Sequence, residues 1–137
     1  MQFKQNTRNQ RIVEEVEFRI MFRRPEYPVL IISPEKLYSA FNLKQLAETF
    51  VSLNLVESEN RLCVVDSTGS EFWYLPKEYT LSPGFVTKKW SKKRLIEIFN
   101  NSSNARELDQ EYSMRSLSSK KLEKVIFDIC MILSSER

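Results

Sequence analysis

Histidine is absent from this 137-residue sequence. Its absence excludes the usual general base near neutral pH, the commonest metal ligand and every histidine-containing triad. Glycine is almost as scarce. Only Gly69 and Gly84 occur, against an average usage of about 7%. Phosphate-cradling loops of the Walker or dinucleotide type need several glycines at fixed spacing, so neither can be built. The two cysteines, Cys63 and Cys130, form no CxxC pair. Each falls in an apolar run that suits a small buried hydrophobe, and a structural zinc site is excluded. Membrane-length apolar runs are missing as well. The most apolar one, Val125 to Leu133, is broken by Asp128 and is too short to span a bilayer. No apolar stretch follows Lys4 and Arg8, so no secretory signal is expected. These absences point to a cytoplasmic protein with no cofactor, no metal and no membrane contact. They also lower the expectation of an enzyme, although catalysis through carboxylates, Lys, Ser or Tyr stays open.

What is present suits one compact domain over residues 1–137. Apolar residues make up 42% of the chain, with nine Phe, five Tyr and two Trp, enough to fill one core. Charged residues, at 28%, are near the ordinary soluble value. The net charge of +3 hides an uneven spread. Residues 1–24 hold six cations and three acids, residues 25–80 four and eight, and residues 81–137 eleven and seven. A negative middle thus lies between two positive ends, and such asymmetry can mark an interaction surface. Residues 1–11 carry cations and no acid and read as a flexible basic arm.

Periodicity supplies the elements. Val16, Phe18, Ile20 and Phe22 alternate with polar residues as in a strand, while Ile12, Val16 and Ile20 also fit a helix, so residues 12–23 are ambiguous. Val29 to Ile32 is continuously apolar, as in a strand covered on both faces. Ser33-Pro34-Glu35 reads as cap, first-turn proline and first-turn acid, predicting a short helix to Phe41. Asn42 with Gln45 signals a second helix, carrying the stripe Leu43, Leu46, Ala47, Phe50 and Leu53. Leu62–Val65 and Phe72–Leu75 form a hairpin through Asp66-Ser67-Thr68-Gly69, with Asp and Gly suited to a type I turn closed by a left-handed glycine. Tyr79 to Thr87 is a loop or edge strand. Ser91 caps a helix bearing Leu95, Ile96, Ile98 and Phe99, and a further helical turn is expected within 105–112. The last helix carries Leu122, Val125, Ile126, Ile129, Cys130 and Leu133 on one stripe. Runs of strands and helices, without strict alternation, predict an α+β fold. Its antiparallel sheet is centred on the 61–76 hairpin and packed by helices on one face or end.

The sharpest candidate site is Lys88-Lys89-Trp90-Ser91-Lys92-Lys93-Arg94. Five cations surround an indole at a predicted helix start. Cations there oppose the helix macrodipole, at about 0.3–1 kcal/mol each. A bound anion would reverse that sign, since free backbone N–H groups and cations would converge on it. Phosphate of a nucleic acid is the obvious anion, with Trp90 stacking on a base. The plainer reading is a solvated lysine-rich turn with Trp90 as a core anchor. Phe72-Trp73-Tyr74 likewise divides between core packing and a sheet surface that stacks bases. Successive residues face opposite ways, so only Phe72 with Tyr74, or Trp73 alone, can share one surface. Ser-x-x-Lys occurs at Ser33/Lys36 and Ser118/Lys121, but the accompanying elements of serine acyl-transfer enzymes are missing. Both serines read as helix caps.

Three functions remain. The first is a non-catalytic binding or regulatory module contacting nucleic acid or another polyanion through that basic helix start. The second is a protein-interaction or homodimeric module, motivated by Phe127 and Met131 beside the last helix's stripe. The third is a small histidine-free enzyme using carboxylates or lysine, which requires a pocket holding groups with shifted pKa values.

Overall fold

A computed structural model describes residues 19–20, 22–34, 36–53, 61–84 and 89–135. The basic arm 1–11, most of the ambiguous segment 12–23, and Lys88 lie outside the described residues. The elements in chain order are β1 (Arg19–Ile20), β2 (Val29–Ile32), β3 (Leu37–Ala40) and α1 (Leu43–Ser52). Strands β4 (Leu62–Val65), β5 (Glu71–Leu75) and β6 (Thr80–Pro83) follow, with a 3-10 turn at Pro76–Glu78. Four helices close the chain: α2 (Lys92–Asn100), α3 (Ser103–Leu108), α4 (Ser116–Ser119) and α5 (Leu122–Ser134).

The sheet order is β1-β6-β5-β4-β2-β3. Five strands pair antiparallel, and the two-residue β1 runs parallel to β6. The β4–β5 hairpin lies at the centre, as the α+β reading requires. Both faces of the sheet are covered, which is why β2 and β4 are apolar throughout. One face sends Leu30, Leu37, Cys63 and Val65 against Leu95, Ile96 and Phe99 of α2 and Val125, Ile126 and Ile129 of α5. The other sends Val29, Ile31, Val64, Phe72 and Tyr74 against Leu46, Ala47 and Phe50 of α1. There the Phe50 and Tyr74 rings stack in parallel with centroids 3.8 Å apart. Each fully buried Leu, Ile or Phe contributes about 1.5–3 kcal/mol, so these two layers dominate the stability. Cys63 and Cys130 are buried thiols, as their apolar surroundings predicted.

The central turn is tied down from several sides. Gly69 adopts φ +85°, and its amide donates to the Asp66 carbonyl at 2.9 Å. Asp66 Oδ1 accepts from the Thr68 and Ser70 amides and the Thr68 hydroxyl, while Oδ2 accepts from the Glu26 amide. The Gly69 carbonyl accepts from the Trp90 amide at 3.0 Å, which docks the hairpin tip beside the start of α2.

One predicted helix is a strand. Residues 37–40 pair antiparallel with β2 as β3. Ser33 caps no helix; its amide and hydroxyl both donate to the Lys36 carbonyl and close a reverse turn. Proline after serine is favoured at the second position of such a turn as well as in a helix's first turn. Pairing with the apolar β2 decides between the two. At the outer edge of β3 the Asn104 side chain accepts from the Leu37 amide at 2.7 Å and donates to the Leu37 carbonyl at 3.1 Å. Ser118 is no cap either: it lies within α4, and its hydroxyl donates to the Arg115 carbonyl. The Asn42 signal behaves as expected, its Oδ1 accepting from the Gln45 amide at 2.9 Å, while Gln45 Oε1 accepts from the Phe41 amide at 2.8 Å. Tyr79 to Thr87 resolves into β6 within its described part.

Candidate functional site

Helix α2 begins as its sequence predicts, with the Ser91 hydroxyl accepting from the Arg94 amide at 3.2 Å. Its first turn holds no acid. The cations that oppose the macrodipole find individual partners instead. Lys92 Nζ turns away and donates to the carbonyls of Leu117 and Lys120, at 2.6 and 2.8 Å. Lys93 pairs with Glu97 one turn on, at 3.9 Å. Both side chains are more than half exposed, so that pair is weak. The Arg94 guanidinium lies 3.8 Å from the Trp90 ring centroid, a stacked cation–π contact. Lys89 is exposed. The described residues of the run, Lys89 to Arg94, therefore do not present one common platform. Trp90 is only 6% exposed and packs in the core, so its ring offers no open face on which a base could stack.

Arg94 does more than cover Trp90. It forms part of the wall of a groove of about 840 Å³ between the sheet and the α2–α3 corner. The floor comes from the sheet face beneath: Ile32 at the end of β2, Leu37 of β3, Cys63 of β4 and Trp73 of β5. Cys63 and Trp73 are direct partners across the central hairpin, which places their side chains together on that face. Helix α2 supplies Arg94, Glu97 and Ile98; its C-cap Asn101 and the N-cap Ser102 of α3 follow, then Arg106 of α3. Arg61, at the entrance to β4, completes the rim. Arg106 is steadied by a hydrogen bond from Nη1 to the Asn101 carbonyl at 3.2 Å.

The electrostatics favour negative charge. Arg61, Arg94 and Arg106 line the groove, and Glu97 is the one carboxylate among the described residues of its lining. A second carboxylate, Glu71, lies on the same sheet face two residues from Trp73 and accepts from the Cys63 thiol at 3.7 Å. Burial, reinforced by Glu71, pushes the Cys63 pKa up to about 12, with Arg94 pulling weakly the other way. The thiol is therefore protonated at neutral pH and a poor nucleophile. Among the described residues, no three His, Cys, Asp or Glu side chains gather as a metal cluster. No described helix is long and apolar enough to cross a membrane.

The sequence reading assigned neither Arg61 nor Arg106 to a site, and named Trp73 only as a ring divided between core packing and an open surface. Arg61 and Trp73 had a signal. Period two in β4 puts Arg61 and Cys63 on one face, and the hairpin register brings Trp73 opposite Cys63. Arg106 had none, because only the reversal between α2 and α3 delivers it. Phe72 and Tyr74, by contrast, pack in the core on the opposite face. No protein family, curated protein or solved structure matches the chain.

Proposed function

We propose that this protein is a non-catalytic, cytoplasmic binding module that holds nucleic acid or another polyanion along the groove beside α2. One observation carries the reading: three arginines, Arg61 ahead of β4, Arg94 on α2 and Arg106 on α3, line one groove in which Glu97 is the one carboxylate among the described lining residues. Guanidinium is the side chain best matched to phosphate and carboxylate, because its planar fork donates two parallel hydrogen bonds. Lys89 and Lys93 are exposed at the start of α2, so of the 88–94 run these two and Arg94 are the residues that would act with Arg61 and Arg106. The protonated Cys63 thiol supplies no activated nucleophile to the groove, which favours binding over catalysis.

The test is affinity for a polyanion across a salt series. Affinity should fall steeply with salt, because each neutralised phosphate releases counterions. Arg61→Glu combined with Arg106→Glu should weaken binding by about tenfold or more at low salt while the thermal unfolding midpoint barely moves. An affinity indifferent to salt, or unchanged in that double variant, would reject the reading.

A second reading, a protein-interaction or homodimeric module, is favoured by the outer face of α5. Phe127 and Met131 are 41% and 48% exposed there, and Phe41 meets Phe127 edge-on at 6.3 Å. Sedimentation would decide it: a concentration-dependent dimer lost in Phe127→Glu supports it, and a monomer at all concentrations removes it.

A further inference from the structure

The groove has two chemistries that a chain of phosphates alone would not use. Its rim is cationic, while its floor is apolar and includes the half-buried indole of Trp73. That indole is braced from below and beside. Cys63 is its cross-strand neighbour, and Gly84 leaves so little room that an added Cβ would lie 3.3 Å from Trp73 Nε1. A ring fixed in this way loses little freedom when something stacks on it. The volume, about 840 Å³, is within the range of sites that enclose a small planar ligand.

Double-stranded nucleic acid keeps its bases stacked inside and presents phosphates and groove edges. It could occupy the arginines but would leave the floor unfilled. A single strand can splay one base downward while its flanking phosphates stay at the rim. Resting on the reading above, we infer that the groove takes single-stranded nucleic acid, one unpaired base seated against Trp73 and the adjoining phosphates held by Arg61, Arg94 and Arg106. The base supplies the planar apolar surface that the floor matches, and the phosphates supply the charge that the rim matches. A peptide of acidic residues alone, such as polyglutamate, would satisfy the rim only.

Fluorescence anisotropy with labelled oligothymidylate of about ten nucleotides tests this. A duplex of equal length, heparin and polyglutamate serve as the comparison probes. The single strand should bind about tenfold more tightly than the duplex. Trp73→Ala should weaken single-strand binding about tenfold, and Trp73→Phe, which keeps a stacking ring, should stay within about threefold of the native chain. If Trp73→Ala does not fold, indole emission decides instead: binding should quench it strongly in the native chain and much less in Trp73→Phe, where Trp90 beneath Arg94 is the one indole left. Equal affinity for duplex and single strand, or unaltered binding in the folded Trp73→Ala variant, would overturn the inference and leave the anionic site standing. Heparin or polyglutamate binding through the arginines, with no nucleic acid bound, would do the same. Failure of every probe at low salt would remove both.

Discussion

Single side chains hold much of the irregular structure in place, and Asp66 is the clearest case. Its carboxylate is buried and accepts four hydrogen bonds, three within the hairpin turn and one from Glu26. Removing it leaves three amides without that acceptor. Asp66→Ala should therefore cost about 3 kcal/mol in urea denaturation, and Asp66→Asn, which keeps one acceptor oxygen, distinctly less. Asp128 is the titrating counterpart. Partial burial works against its charged form, but hydrogen bonds from Tyr112, Lys124 and Lys120 outweigh that and hold its pKa at about 2. A folded-state pKa below the ordinary 3.8 means that the contribution is present above the ordinary value and lost as pH falls through about 2. Asp128→Asn should be about 1 kcal/mol less stable than the native chain near neutral pH, with the gap closing toward pH 2. Denaturation midpoints across acid pH check this. Lys120 moves the other way. Its pKa is raised by its hydrogen bonds to Asp128 and Tyr112, so its share is lost only on the alkaline side.

Among the elements, the hairpin tip shows how a turn becomes a packing surface. A Cβ at Gly69 would approach Leu122 Cδ2 to 2.5 Å, and the backbone there has positive φ. The leucine tip can rotate away, whereas the left-handed backbone cannot relax. Gly69→Ala should therefore cost about 1–2 kcal/mol, read from thermal or urea unfolding. The same scale shows what was legible in the sequence. Helices α1 and α5 carry long stripes at helical spacing, and the Asp-Ser-Thr-Gly turn has its own chemistry, so local pattern sufficed for them. Strand β3 was misread as helix because Ser33-Pro34 suits two local structures and the deciding interaction is pairing with β2. The groove was half legible. Arg61 and Trp73 follow from strand alternation and hairpin register, but Arg106 depends on a corner between helices that leaves no local trace. Trp90 was visible as a core anchor and as a stacking ring alike; burial beneath Arg94 separates the two.

At the level of the whole molecule, one sheet divides the labour. The face under α1 is closed and hydrophobic, stabilising the fold. The opposite face is closed by α5 over β2 and β3 but left open beside α2, where Cys63 and Trp73 meet the arginines. Hydrophobic packing thus stabilises the sheet from both faces, and the groove is the part of the second face that packing leaves uncovered. The molecule must also end that layer safely, and Asn104 does so at β3. Its side chain supplies one donor and one acceptor where a seventh strand would have laid its backbone. Asn104→Ala would leave the Leu37 amide and carbonyl without that partner. It should cost about 3 kcal/mol and, beyond that loss, give material that polymerises on standing, followed as thioflavin emission. A lone amide thus does at Leu37 what a neighbouring backbone would otherwise do, and the boundary is drawn there by the chain's own polar group.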